Sequence, residues 1–293
     1  MLESFQVASS VRRYDAARAV AGRSVQHAKA TRGKVAGARH AVAPESRPTT
    51  LAAVWERTKL LIHGSLRRFG YRLMPIAMTS DDECLRALLR HHGIDLIFDV
   101  GANTGQFASH VFGLGYAGRI VSFEPQSVPH AALLARSRAN SRWEVAERCC
   151  LGDHDGETEI HVSQNSISSS VLPISALHTA ISPEAGYVGV ERVPMRRLDD
   201  LARRHLDGSH AALLKIDVQG YERHVMEGAS ETLARVKGLQ VEISLRTVYE
   251  GQMLFLPMLT WIMGMGFQPA RFLPAFLEQD TGRWLQTDAL FFR

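Results

Sequence analysis

Apolar runs of strand length alternate with segments of helical spacing from about residue 80 to the C-terminus. The apolar runs predict strands over Asp95–Val100, Arg119–Phe123, Trp143–Leu151, Leu213–Ile216, Gly238–Ser244 and Leu285–Phe292. Helical spacing predicts helices over Asp81–Gly93, Gln106–Gly115, Val128–Ala139, Glu222–Val236 and Met253–Met265. Because strands and helices alternate, the pattern predicts an α/β fold with a mostly parallel sheet and helices on both faces.

A polar segment interrupts this alternation. Asp155 and Gly156 predict a turn into a short added strand, Glu157–Ser163. Residues 165–187 then combine consecutive serines with two prolines, which predicts a long loop. Long loops in compact domains often close over a site or bind its ligand, so this loop is expected to contribute to acceptor recognition.

The loop after the first strand has the composition of a cofactor-binding turn. It contains Gly101 and Gly105, which permit a tight turn and a close approach of ligand to backbone. Asn103 and Gln106 occupy two glycine positions of the dinucleotide fingerprint G-x-G-x-x-G, and no P-loop lysine follows, so a pyrophosphate ligand is disfavoured. Glu124, at the end of the second strand, is placed to hold a ribose diol. A ribose without phosphates indicates S-adenosylmethionine, with an ordinary glycine turn as the alternative.

Acidic residues lie in or directly after the carboxyl-terminal halves of four predicted strands. They are Asp99, Glu124, Asp217 and Glu242. Since ligands of open α/β sheets bind at the carboxyl ends of the strands, we expect these acids to converge on one crevice. The alternative is that Asp217 and Glu242 cap helices or pair with Lys215 and Arg246.

Charge is distributed unevenly along the chain. Residues 1–73 hold 14 Lys or Arg and 4 Asp or Glu, which leaves 20 basic and 26 acidic residues in the remainder. An acidic body argues against nucleic acid as a partner. Residues 1–50 are predicted to be a disordered basic tail. Residues 51–69 carry an apolar stripe of helical period, which predicts an amphipathic helix that either docks peripherally on an anionic membrane or packs on protein.

Cysteine usage indicates a reducing compartment. Cys84, Cys149 and Cys150 form neither a disulfide framework nor a zinc spacing, so a cytoplasmic location is expected, with peripheral membrane contact through residues 51–69. Cys149 and Cys150 fall in an apolar run, where free cysteines behave as small buried residues.

Two motifs taken together resemble the FkbM-type family of S-adenosylmethionine-dependent methyltransferases. They are F-D-V-G-A-N-T-G-Q-F and K-I-D-V-Q-G-Y-E, with S-F-E-P, L-G-D, D-G and S-S-S-V-L between them in the family's order. The resemblance covers about residues 95–293. It implies a Rossmann-like class I methyltransferase fold whose final strand is antiparallel. It also implies S-adenosylmethionine contacts at Asp99, Gly101, Asn103, Gly105, Glu124 and Asp153.

The resemblance also implies the type of reaction. Family members methylate hydroxyl groups, often on sugars or polyketide-derived lipids, so we expect an O-methyltransferase acting on a small-molecule, sugar, glycolipid or polyketide-type acceptor. A nicotinamide-dependent oxidoreductase and a non-catalytic binding protein with a methyltransferase fold are the alternatives. Gln219 departs from the Glu common in the family, which weakens any charged role at that position. The expected divisions are a tail (1–50), a helical extension (51–93) and the methyltransferase domain (94–293).

Methyl transfer to an alcohol requires removal of its proton. Asp217 is the expected catalytic base, and Glu242 its partner, because both lie at adjacent strand ends beside the expected methyl position. The same two carboxylates are alternatively oxygen ligands for Mg²⁺, which would lower the pKa of the hydroxyl instead. The sequence leaves these two mechanisms open.

Overall fold

The computed structural model describes residues 80–293 and four helical positions before them, Thr58, Ile62, Leu66 and Arg68. The predicted tail of residues 1–50 lies outside the described residues. The helix predicted over residues 51–69 also lies outside them, apart from those four positions.

A seven-stranded sheet forms the centre of the described region, in the order β3-β2-β1-β7-β8-β10-β9. Its strands are β1 (Leu96–Val100), β2 (Arg119–Phe123), β3 (Trp143–Val145), β7 (Ala212–Ile216), β8 (Gly238–Ser244), β9 (Gln268–Glu278) and β10 (Arg283–Phe292). The first five strands of that order pair in parallel, and β10 is antiparallel to both β8 and β9. The predicted parallel sheet with a final antiparallel strand is therefore confirmed.

Helices cover both faces of this sheet, as predicted. They are α1 (Asp81–His91), α2 (Gln106–Gly113), α3 (Ser127–Ser137), α4 (Ala176–Ile181), α5 (Leu198–Leu206), α6 (Glu222–Glu227), α7 (Ser230–Arg235) and α8 (Phe255–Gly264). Helices α1 to α3 pack with the alternate strand residues Ile97 and Leu213 in one core. Helices α5 to α8 pack with Phe98 and Leu214 in the other, as the period-two alternation of strand side chains requires.

Two predicted elements are each divided in the structure. The strand predicted over Trp143–Leu151 becomes β3 and a separate β4 (Cys150–Leu151), because the chain leaves the large sheet after Val145 to join a smaller one. The helix predicted over Glu222–Val236 is interrupted at Gly228, where an added Cβ would lie 1.8 Å from the Gly152 carbonyl oxygen. The two backbones meet there, so the helix gives way to a turn.

A three-stranded sheet, β4-β6-β5, flanks the central one. Its strand β5 (Gly156–Ser163) is the added strand predicted after the Asp155-Gly156 turn, whereas β6 (Tyr187–Arg196) was not predicted. Strand β9 was not predicted either. Both missed strands are largely exposed. Strand β9 is an edge strand whose apolar residues are interrupted by Pro274, and prolines are more typical of loops than of strands.

Cys149 and Cys150 are buried free thiols, as expected from their apolar surroundings. Within residues 80–293 no helix is long and apolar enough to span a bilayer.

Candidate active site

A cavity of about 600 Å³ lies at the carboxyl ends of β1, β2 and β7. Five of the predicted site residues line it, namely Gly101, Asn103, Glu124, Asp217 and Glu242. The other three, Asp99, Gly105 and Asp153, are not among its lining residues. The structure therefore brings three of the four expected acids to one crevice and places Asp99 beneath its floor.

The two sequence motifs meet through their backbones. Gly101 has φ +76°, and an added Cβ would lie 1.8 Å from the carbonyl oxygen of Asp217. The N–H of Asp217 in turn donates to the Val100 carbonyl at 3.1 Å. Gly105, with φ +88°, instead packs against the Trp143 ring, which an added Cβ would approach to 2.6 Å. Gly101 thus fixes the contact between the motifs, and Gly105 fixes the packing of helix α2 on the sheet.

Glu124 is 2% exposed and faces the cavity from the end of β2. Its carboxylate accepts the backbone N–H groups of Asn103 and Gln126, each at 2.8 Å. Burial raises the pKa of Glu124 to about 7 in spite of these donors. Each carboxylate oxygen keeps a further lone pair, so the group can accept hydroxyl donors from the cavity.

Asp99, beneath the cavity floor, forms a buried ion pair with Lys215, which is a residue of the cavity lining. Asp99 is fully buried, and its Oδ1 lies 3.1 Å from the Lys215 Nζ on the neighbouring strand. The same ammonium lies 3.6 Å from Asp217 Oδ2 and donates to the Gly101 carbonyl at 3.3 Å. Burial alone would lower the pKa of Lys215, but Asp99 and Asp217 raise it above its ordinary value. Lys215 is therefore a fixed cation that connects both motif loops. Its contact with Asp217 is the ion pair that the sequence analysis gave as an alternative.

A side-chain amide links the two predicted catalytic carboxylates. Gln219 Nε2 donates to Asp217 Oδ1 at 2.8 Å and to Glu242 Oε2 at 3.0 Å. Tyr249 donates its hydroxyl to Gln219 Oε1 at 2.8 Å, and Gln286 Nε2 donates to Glu242 Oε2 at 2.7 Å. Gln219 itself has φ +57°, a conformation uncommon for a residue with a side chain. The geometry thus gives this uncharged side chain a definite place between Asp217 and Glu242.

Asp288 is a third carboxylate in this part of the cavity, and the sequence analysis missed it. It lies on β10 directly opposite Glu242 on β8. Burial and the charge of Asp217 raise the pKa of Asp288 to about 6. Burial, with the charges of Asp217 and Glu222, raises the pKa of Glu242 well above its ordinary value. An acid in the middle of an apolar strand was the available signal for Asp288.

The alternative of a Mg²⁺ site at Asp217 and Glu242 is not supported by this geometry. In the described part of the chain, no group of three or more His, Cys, Asp or Glu side chains is arranged to hold a metal ion. The Gln219 amide donates N–H groups to both Asp217 and Glu242, so a donor lies where a bridging cation would need acceptor oxygens.

The polar loop predicted over residues 165–187 lies against the cavity. Residues 165–171 line it, and the loop also contains α4 and a short 3₁₀ helix, Pro183–Ala185. Gln126 Nε2 donates to the Ser166 carbonyl at 3.0 Å, and Ser169 Oγ donates to Gln126 Oε1 at 2.9 Å. Ser170 Oγ donates to the Gln219 carbonyl at 2.7 Å. The loop is thus bonded to both sides of the site. Asp153 lies on the surface, where it pairs with His154 at 2.7 Å.

Comparison with known proteins gives three kinds of match. The 2-O-methyltransferase NoeI of Sinorhizobium fredii is 30% identical over 169 residues, which are 54% of this chain and 67% of NoeI. The methyltransferase domain of bacterial CtHen1 has 12% identity and a TM-score of 0.40, and covers 72% of this chain and 97% of that domain. The 1,6-didemethyltoxoflavin-N1-methyltransferase of Burkholderia thailandensis, solved with S-adenosylhomocysteine, has 15% identity and a TM-score of 0.37. The match covers 86% of this chain and 93% of that enzyme.

The family model described as the methyltransferase FkbM domain matches residues 99–269, more than half of the chain. The match begins at Asp99 in the first motif and includes the second motif, so it contains every residue that the resemblance assigned to the cofactor. The chain belongs to the FkbM family of S-adenosylmethionine-dependent methyltransferases.

Proposed function

We propose that this enzyme transfers the methyl group of S-adenosylmethionine to a hydroxyl of a sugar, glycolipid or polyketide-type acceptor. The observation that carries the proposal is the Asp217 carboxylate, whose side chain is 34% exposed at the cavity and is held by Lys215 and Gln219. A carboxylate held in this way suits proton removal from an alcohol. The similarity to NoeI, a 2-O-methyltransferase, supports the same type of transfer.

The residues around Glu124 fit the nucleoside part of the cofactor. A cavity of about 600 Å³ is within the usual range for ligand sites, roughly 300 to 1,000 Å³. Glu124 would accept the ribose hydroxyls, and the loop from Gly101 to Asn103 would present its backbone to the ligand. Phe123 and Leu151 supply apolar lining beside Glu124. When bound, S-adenosylmethionine supplies a methyl group activated by its sulfonium.

Asp217 would act as the base. An Asp217 oxygen would take the proton of the acceptor hydroxyl while the methyl group passes from sulfur to the hydroxyl oxygen, which would leave S-adenosylhomocysteine. Such a positioned base contributes about 10² to 10⁴ in rate. Lys215 and Gln219 hold the carboxylate in place. Burial and the charge of Asp217 raise the pKa of Glu242 well above its ordinary value, so a second negative charge beside Asp217 is disfavoured.

The acceptor side of the cavity supports a partly apolar substrate. Ile167 lines the cavity and is 57% exposed, and Phe276 is a second apolar residue of the lining. Asp217 and Asp288 supply polar groups to the same lining. A sugar that carries an apolar substituent, as in a glycolipid or a polyketide glycoside, matches both kinds of lining residue. The nicotinamide alternative is set aside by membership of a methyltransferase family.

The decisive experiment supplies isotopically labelled methyl donor with fractionated sugars and glycolipids, followed by mass spectrometry. We expect one labelled methyl ether in an acceptor. Asp217→Asn should lower turnover at least about 10²-fold, with S-adenosylhomocysteine affinity nearly unchanged. Near wild-type turnover in Asp217→Asn would contradict the base assignment. A labelled methyl on nitrogen or carbon would contradict O-methylation, and donor binding without any labelled product would favour the non-catalytic alternative.

A further inference from the structure

The part of the cavity that would hold the methyl-accepting substrate contains hydrogen-bond acceptor groups that lack donors. Gln240 is only 7% exposed, lines the cavity, and its Oε1 has no hydrogen-bond partner within the described chain. Leaving a buried polar atom unsatisfied costs about 1 to 3 kcal/mol, so such an atom indicates a ligand or water partner. Gln240 makes no contribution to the chemistry described above.

Asp288 has a similar lack of partners. No described group donates a hydrogen bond to its carboxylate, although it lines the same cavity. Glu242, its direct cross-strand neighbour, differs in that it accepts amide donors from Gln219 and Gln286. The network that serves Glu242 thus leaves Asp288 open towards the cavity.

Sheet register places Gln240 and Asp288 together. Asp288 is opposite Glu242, and Leu290 is opposite Gln240, so Gln240 and Asp288 are diagonal neighbours on one face. Diagonal neighbours across an antiparallel pair lie about 7 to 8 Å apart, and a small polar group fits between their side chains. Asp217 continues β7 beside Glu242 on that face, because Ile216 is in register with Val241. The base and the two unpartnered acceptors therefore face one space.

We propose that Gln240 and Asp288 form a subsite for a second hydroxyl of the acceptor, adjacent to the hydroxyl held by Asp217. Two acceptor groups without donors fit a ligand that brings hydrogen-bond donors, and neighbouring hydroxyls of one ring supply donors at the needed spacing. The substrate class is thereby a vicinal diol, and a lone alcohol leaves the subsite unsatisfied. This inference rests on the proposed transfer to a hydroxyl.

The test measures binding of small probes to the full chain saturated with S-adenosylhomocysteine. The probes are cis- and trans-1,2-cyclohexanediol, cyclohexanol and cis-2-aminocyclohexanol. The affinity of each is measured by ligand-observed NMR titration. At least one diol should bind about ten- to hundredfold more tightly than cyclohexanol, the usual contribution of a hydrogen bond to a charged group. Equal affinity for diol and cyclohexanol, or preference for the amino alcohol, overturns the proposal.

Two substitutions assign the effect to the subsite. Asp288→Asn and Gln240→Met should each lower diol affinity towards that of cyclohexanol and leave cyclohexanol affinity unchanged. Thr287→Val is the matched control, because Thr287 is on the same strand but its hydroxyl bonds the Leu273 carbonyl. Equal losses for diol and cyclohexanol in both subsite variants would overturn the proposal. If neither variant folds, judged by S-adenosylhomocysteine binding, the wild-type diol preference decides.

Methyl transfer is then followed with the same probes and labelled donor. Selective diol binding without transfer means that the proposed function fails while the subsite stands. Equal transfer to diol and cyclohexanol, unaffected by Asp288→Asn, means that the subsite fails while O-methylation stands.

Discussion

Removing Lys215 should destabilise the fold more than removing its partner Asp99. In Lys215→Met the fully buried Asp99 carboxylate loses the ammonium 3.1 Å away, and breaking a buried pair from one side costs about 3 to 5 kcal/mol. In Asp99→Asn the ammonium keeps Asp217 at 3.6 Å and the Gly101 carbonyl at 3.3 Å, so the cost is smaller. The double variant removes both charges and should recover most of the loss in Lys215→Met.

Urea unfolding of the wild type, both single variants and the double variant measures this coupling as a double-mutant cycle. For a domain of this size, about 3 to 5 kcal/mol corresponds to a fall in melting temperature of roughly 6 to 20 °C. If the stability lost in the double variant equals the sum of the losses in the two single variants, the pair is not coupled and the reasoning is wrong. Asp99→Asn should also keep S-adenosylhomocysteine affinity within a few-fold, because Asp99 does not line the cavity. A loss of S-adenosylhomocysteine affinity above about tenfold would instead indicate that Asp99 contributes to cofactor binding, as the family resemblance implies.

Three further predictions concern the cofactor loop, Glu124 and the N-terminal segment. Gly101→Ala should prevent correct folding of the loop, because its Cβ would lie 1.8 Å from the Asp217 carbonyl oxygen. Gly115→Ala, at φ +85° in open space, should lower the free energy of unfolding in urea by only about 1 kcal/mol. Equal losses of stability in Gly101→Ala and Gly115→Ala would contradict this reasoning. S-adenosylhomocysteine affinity should rise up to about tenfold from pH 6 to 8, as Glu124, with a pKa of about 7, ionises and accepts ribose hydroxyls better. Calorimetry tests this, and Glu124→Gln should abolish the pH dependence. Residues 51–69 should bind anionic vesicles less tightly as salt rises, and salt-independent co-sedimentation would argue against it.

The central strands could be predicted from sequence because they are buried on both faces and therefore read as apolar runs. Strand β2 was predicted to the residue, and β1 to within one residue. Strands β6 and β9 escaped prediction because their exposed positions carry mixed side chains, and two prolines in β9 suggest a loop rather than an edge strand. The break of the predicted helix at Gly228 also escaped, because its cause is contact with Gly152, 76 residues earlier in the chain.

The site was predicted in part, and the difference again lies in long-range contacts. Glu124 and Asp217 could be placed at the cavity because each directly follows a recognisable strand. Asp99 precedes its strand end by one residue, and the alternation of side chains turns it onto the sheet face beneath the floor. Asp288 lies on the final strand, distant in sequence from both motifs, and only the antiparallel pairing of β10 with β8 brings it opposite Glu242.

The balance of charge around Lys215 determines which carboxylate can act as a base. Four carboxylates, those of Asp99, Asp217, Glu242 and Asp288, lie near this ammonium, and they cannot all ionise at low cost in a buried space. Asp99 is committed to the ion pair beneath the floor. Burial raises the pKa of Glu242 well above its ordinary value and that of Asp288 to about 6, so both carboxylates ionise less readily here than in water. Asp217 is the one of the four that contacts the ammonium, accepts a hydrogen bond from the Gln219 amide and is open to the cavity. This geometry supports the proton-accepting role proposed for Asp217 and the hydroxyl-binding role proposed for Asp288.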